Sequence, residues 1–322
     1  MRITLYIGRR LIASAVMLLA LASALFVLVA SAPGDPLQVL TGGYAVSPEF
    51  RAAMNERFGL GLPLWERYLL FMKGIVTLDL GDSFSQGAPV LDVVVNRLGA
   101  TMMLVIPAFV ISTLVGTALG VYIGTPTNPG WLRGSGNGIA LALYSTPSFY
   151  VGQLLILLFA LSLSWFPVSG MRDVRAAQTG VWDIVWHAVL PIIALSLREL
   201  GLNARVTQGS LRDTLSMEYM VTARSKGLKR STAVRRHGLR NAMMPVITTL
   251  GYNFGALLAG SVLVEVTFGW PGIGRLMLDA IQVRDTILLI ACAMAVGLIV
   301  VMANLVTDLI YTKVDPRVRT VE

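Results

Sequence analysis

The chain has 322 residues, of which 55% are hydrophobic and only 14% charged, where soluble domains carry roughly 25% charged residues. Its mean hydropathy is +0.70. That composition excludes a soluble globular enzyme and a disordered chain, and the single cysteine, Cys292, excludes a disulfide framework. What remains is an all-α polytopic membrane protein. Its net charge of +8 then marks the cytoplasmic face rather than a nucleic-acid partner.

A helix crossing the hydrocarbon core needs about 20 apolar residues. Leu11 to Ala32 has no charge and lies between Arg9-Arg10 and Pro33-Gly34-Asp35. It has the basic start and the Ala30-Ser31-Ala32 site of a signal peptide. Its apolar run exceeds the usual 7–15 residues, and proline would follow the cut, so it reads as a retained helix. Later spans are expected near Thr101–Gly124, Ile139–Leu161, Asn241–Val264 and Thr286–Thr307. A weaker one, Ile184–Thr207, is interrupted by Arg198, Glu199 and Arg205. Six spans put Arg2, Arg9 and Arg10, the segment from Arg212 to Arg240, and Lys313, Arg317 and Arg319 on one side. Both termini and the basic loop of this multi-pass chain are therefore expected in the cytoplasm.

Three regions follow: residues 1–32, an outer segment 33–97, and a five-helix core 98–322. The outer segment carries five basic and seven acidic residues. It contains helix-like spacing over Glu49–Phe58 and Leu64–Ile75, introduced by Ser47-Pro48 and Pro63. Gly59-Leu60-Gly61-Leu62-Pro63 and Leu80-Gly81-Asp82-Ser83 read as turns. A small folded cap is expected here.

The basic loop near 212–241, between the fourth and fifth spans, is the most informative stretch. It holds Glu218-Tyr219-Met220-Val221 and then Thr222-Ala223-Arg224-Ser225-Lys226-Gly227-Leu228. Small residues at 222 and 223 suit a short helix lying against another surface, and Gly227 suits its left-handed cap. Pro245 falls near the expected start of the fifth span, where a missing N–H does least harm. A short helix projecting between two spans suits docking into a cleft on a partner. By itself, a basic loop also suits contact with anionic lipid.

This segment resembles the coupling segment of ABC-importer permeases. More closely, the chain resembles the B-type permease subunits of the dipeptide/oligopeptide/nickel importers, over almost its whole length. The resemblance runs through Pro33-Gly34-Asp35-Pro36, Gly81-Asp82-Ser83 with Pro89-Val90, and the coupling segment with His237 and Arg240-Asn241-Ala242. It continues with Glu265, the stretch Phe268-Gly269-Trp270-Pro271-Gly272-Ile273-Gly274-Arg275-Leu276, and Asp315-Pro316-Arg317-Val318-Arg319. Val221 stands where the general pattern of the coupling segment has glutamate, which agrees with this subfamily. The resemblance implies no catalytic site in this chain, with ATP and Mg bound by partner subunits. Those partners are two ATPases or one fused ATPase, beside a second homologous permease and an extracytoplasmic substrate-binding protein. Thr222 to Leu228 would then couple ATPase closure to alternating access.

No G-x-x-x-x-G-K-[ST] phosphate loop occurs in the sequence. His187 and His237 are expected on opposite sides of the bilayer, so no metal site is expected. Cys292 packs within a helix or faces lipid. Arg198, Glu199 and Asn203 line a translocation path or form structural pairs, and Tyr252 and Asn253 are weaker candidates for that path. Glu265 either lies at an outer gate or bonds the Trp270-Pro271-Gly272 turn, the second being preferred. An ion-gradient-driven secondary transporter is the alternative. It would require inverted repeats and paired broken helices, and neither is visible. A non-transporting scaffold would also accommodate a docking loop.

Overall fold

A computed structural model describes residues 2–31, 47–49, 61–126, 128–173 and 180–314. The expected helix Glu49–Phe58 lies almost wholly outside the described residues. So do Pro33-Gly34-Asp35-Pro36, Gly59-Leu60 and Asp315 to Arg319. The described elements are α1 (Arg2–Ala30), α2 (Leu64–Thr77), β1 (Asp82–Ser83), β2 (Ala88–Pro89), α3 (Val90–Gly124), α4 (Gly130–Ser145) and α5 (Ser148–Leu155). They continue with α6 (Val181–Leu215), α7 (Glu218–Ser225), α8 (Arg230–Ala233), α9 (Leu239–Thr267), α10 (Ile273–Gln282) and α11 (Thr286–Val314). π-helical turns extend α5 over Ile156–Ser162 and join α8 to α9 over Val234–Gly238. Two compact units result: Met1–Ala100 with Pro271–Val301, and Thr101–Trp270 with Met302–Glu322.

In the first unit, Pro63 precedes α2 and Glu66 lies in its first turn, where a carboxylate complements the helix dipole. Leu78, at φ 57°, ends the helix. Tyr68 and Ser23 share a hydrogen bond of 2.8 Å, tying α2 to α1. Phe26 also stacks on Phe71, with ring centroids 5.5 Å apart. The stretch read as a turn at Leu80–Ser83 is in part a strand. Ser83 pairs with Ala88 and Asp82 with Pro89 in a two-stranded hairpin, whose turn ends at Gly87, φ 63°. Two-residue strands are too short for any alternation of apolar residues to reveal them. Helix α10 has no counterpart among the expected segments, although Ile273, Leu276, Met277 and Ala280 carry its apolar face.

Asp285 ties this unit together. It is fully buried, and its Oδ2 accepts from Ser83 Oγ at 2.6 Å, Ser85 Oγ at 2.8 Å and Ser85 N at 3.1 Å. Its Oδ1 accepts from Leu288 N at 3.1 Å, which caps α11. Asp285→Ala removes the cap and takes the shortest partner from the buried Ser83 hydroxyl. The expected loss is about 3 kcal/mol, read as a lower unfolding midpoint in detergent, with Asp285→Asn losing less. A midpoint unchanged in the alanine variant would refute this account.

Among the described residues, five helical stretches are long and apolar enough to cross a membrane: Gly8–Leu28, Val90–Gly124, Val181–Leu215, Val234–Thr267 and Thr286–Ile310. The remaining expected span, Ile139–Leu161, is not a straight helix. Gly130–Ser145 and Ser148–Ser162 meet at 101°. The break follows from Pro147, which disfavours helical geometry at the residue before it, and Thr146 is extended at φ −91°, ψ 127°.

The second unit is held together by close backbone approaches. A Cβ on Gly116 would lie 2.7 Å from the carbonyl oxygen of Leu200, and one on Gly120 would lie 2.5 Å from that of Ala204. Gly124 lies less tightly against Leu211 and Gln208, at 3.2–3.4 Å, so every fourth residue of this stretch of α3 seats α6. Gly201 of α6 lies as close to Ala140 of α4. Pro191 sits inside α6.

Candidate coupling and translocation sites

Helix α6 ends at Leu215, and α7 starts three residues on with Glu218 in its first turn. The last turn of α7 is closed by Lys226 N donating to Thr222 O at 3.1 Å. Gly227 then turns the chain at φ 86°, a conformation that favours glycine. Two residues just ahead of the expected coupling segment hold α7 in place. Met220 is buried, close to the Cβ position of Gly238 beside Leu215. The Tyr219 hydroxyl accepts from Asn241 Nδ2 at 2.8 Å, joining α7 to α9. The signal for Met220 is an apolar residue at the start of a polar run; Tyr219 has none.

Val221, Thr222, Ser225, Lys226 and Gly227 remain exposed, and Ala223 and Leu228 are half-buried. Arg224 belongs to α7, and its side chain lies outside the described set. Pro245 departs from expectation. It lies inside α9, not at its start, because the helical rod already runs through α8 and the π turn.

A group of polar residues lies within the membrane-crossing part. Glu199 is buried and its Oε1 lies 2.5 Å from Arg198 Nη1. Its Oε2 has no hydrogen-bond partner among the described residues. Asn203 joins three helices: its Nδ2 donates to Ser112 O of α3 at 3.2 Å, and its Oδ1 accepts from Asn253 Nδ2 of α9 at 2.8 Å. Arg198 lies over the Tyr144 ring, 5.4 Å from its centroid. Tyr252 is not part of this cluster; it is 73% exposed. The structure thus brings together Arg198 with Glu199 and Asn203 with Asn253, and adds Ser112 and Tyr144.

At the other end of α9, Glu265 is fully buried and its Oε1 accepts from Thr101 Oγ1 at 2.6 Å. Its backbone carbonyl accepts from Trp270 N at 2.8 Å, which helps close the turn. Phe268 O accepts from Gly170 N at 2.8 Å, and Gly269 is left-handed at φ 61°. His187 lies near the start of α6, its Nδ1 2.8 Å from Asp183 O. His237 belongs to the π turn before α9. Cys292 packs in the apolar core of the first unit.

Long apolar helices, one bent pair and a short helix between two of the long ones are the make-up of a polytopic membrane protein. Residues 116–320 match the binding-protein-dependent transport system inner membrane component family, and residues 3–105 match the N-terminal region of such components. The dipeptide transport system permease protein DppB of Escherichia coli K12 is 35% identical, over 91% of this chain and 92% of the relative. The glutathione transport system permease protein GsiC of Salmonella paratyphi A is 33% identical, over 98% of each. Among solved structures, an inward-facing MetNI methionine ABC transporter matches with a TM-score of 0.56 at 14% identity, over 69% of this chain and 96% of that one. An amino acid ABC transporter solved with histidines matches with a TM-score of 0.53 at 15% identity, over 69% of this chain and 94% of that one. The chain belongs to the family of binding-protein-dependent transport system inner membrane components: it is a multi-pass permease subunit of an ABC importer, and the ATPase is a separate subunit.

Proposed function

We propose that the chain forms half of the path by which a bacterial importer moves peptides or related small solutes across the inner membrane. The second half is a homologous permease. ATP and Mg bind to two ATPase subunits or one fused ATPase, and a binding protein delivers solute from outside. The basic segment around α7 and both termini face the cytoplasm, as the lysine and arginine distribution supports. Residues 33–97 form the cap on the opposite side, and lipid surrounds the spans.

The observation that carries this reading is α7 itself. Its segment Thr222 to Leu228 follows Tyr219, which bonds Asn241 of α9, and Met220, which packs by Gly238 just before α9, while α6 ends three residues ahead of α7. A partner that moves Thr222, Ala223, Arg224, Ser225, Lys226, Gly227 and Leu228 therefore moves two membrane helices together. Arg198 and Tyr252 border the path, and Glu199, Asn203 and Asn253 hold its walls from behind. Glu265 keeps the Phe268-Gly269-Trp270 turn closed at the outer end, and so positions the outer gate.

Reconstituting the complex with its co-purified ATPase tests the reading. Uptake of a labelled peptide mixture should require ATP and the binding protein. Uptake driven by an ion gradient without ATP would overturn it.

A further inference from the structure

Helix α6 carries a charge pattern that the family reading does not use. Arg198, Arg205 and Arg212 recur every seventh residue, which places them on one face of a helix. Arg205, Gly209 and Arg212 are exposed, and the Arg198 side chain is 40% exposed. The opposite face, with Glu199, Asn203, Thr207 and Leu211, is buried. Arg198 lies at the middle of this 35-residue helix, and each later arginine is about 10 Å further along the axis.

The three cations are unequally balanced. Arg198 is paired with Glu199. Arg205 lies over the same Tyr144 ring, 5.9 Å from its centroid. No carboxylate lies within ion-pair distance of Arg205 or Arg212 among the described residues. Exposed guanidinium groups from the middle of a spanning helix onward are costly against lipid and are stable against water. The exposed face of α6 is therefore suited to water or to another protein surface, not to lipid.

We propose that Arg198, Arg205 and Arg212 form a cationic strip along the aqueous path, and that it draws solutes bearing a carboxylate towards the α7 end. A guanidinium fork matches a carboxylate in geometry as well as charge, and a run of them on low-dielectric walls concentrates anions. The carboxylate of a peptide's C-terminus is the group it would take. This deepens the permease reading and rests on it.

Gly209 offers a clean probe, because a Cβ added there meets nothing within 4 Å and it lies between Arg205 and Arg212. The native Cys292 is buried, so the parent chain gives the background. Gly209→Cys, in inverted membrane vesicles carrying the whole complex, would be treated with a carboxylate-bearing or a trimethylammonium-bearing methanethiosulfonate. Each would be tested with and without ATP, and each rate divided by that reagent's rate with a free thiol. We expect the carboxylate reagent to be favoured about tenfold. Adding Arg205→Gln and Arg212→Gln should bring the ratio to within about twofold of unity.

No reaction with either reagent would mean that the strip faces lipid or protein, and equal rates would mean that it creates no useful field. A preference surviving both glutamines would assign the field to other residues. Each of these overturns the proposal. ATP-dependent uptake by the native complex is scored separately. Loss of the preference with uptake intact removes only the strip, whereas absent uptake with the preference intact removes the permease reading.

Discussion

Replacing Ala223 and Gly227 together by glutamate will strip the ATPase subunits from the chain while leaving its membrane insertion unchanged. Ala223 is half-buried at the edge of α7, where a longer, charged side chain alters the docking surface. Gly227 turns the chain at φ 86°, and a side chain there costs about 1–2 kcal/mol of backbone strain. Two carboxylates beside Lys226 also oppose the charge expected to face acidic groups on the ATPase, which tunes encounter and register. A pull-down in mild detergent, quantified by mass spectrometry, should lose at least about tenfold of its ATPase, equivalent to roughly 1.4 kcal/mol of association. Gly227→Ala separates strain from charge and should lose less. Full retention of the ATPase by a correctly inserted double variant would end the assignment of α7 as the coupling helix.

Gly120→Leu will have the largest effect on the membrane-embedded fold. The added Cβ alone would approach the carbonyl oxygen of Ala204 and the Cβ of Thr207 to 2.5 Å each. Neither is the flexible tip of a side chain, so α3 and α6 must separate. Overpacking typically costs 1–3 kcal/mol and more when backbone must shift, so a loss of about 3 kcal/mol or more is expected. Fluorescence-detected size exclusion after heating would show it as a lower midpoint or as failure to accumulate. Gly138→Leu is the matched control, because its Cβ position is open and its midpoint should stay near native. Equal stability of the two variants would refute the close-packed seam.

The spans are legible in the sequence because a charge-free run of about 20 residues has little place outside a bilayer. Five of the six expected segments overlap crossing helices, and the weak Ile184–Thr207 is the core of α6. The third segment is legible in composition and not in shape. Its bend at Thr146-Pro147 depends on the backbone restriction that proline imposes on its neighbour, which an apolar count does not contain. The hairpin and α10 are too short to stand out in the same way.

The candidate sites divide along a similar line. Gly227 declares its role through the conformation only glycine adopts readily, and its positive φ agrees. The bonds from Asn203 to Asn253 and from Tyr219 to Asn241 join positions 50 and 22 residues apart. Such partners are set by tertiary packing and have no local signature. The arginine strip is the opposite case. Its seven-residue spacing stands in the sequence, yet taken alone Arg205 reads as an interruption of a span.

Pro191 gives α6 a mechanical property. It lacks the N–H that would bond the carbonyl four residues back and so softens the rod at one place. From that pivot, Arg198 lies about 10 Å along the axis and Leu215, where α6 gives way to α7, about 36 Å. α6 is therefore a reducing lever: a displacement applied at α7 arrives at Arg198 at roughly a third of its size. Under the proposed coupling role of α7, large travel at the partner's surface would become small travel beside the proposed path.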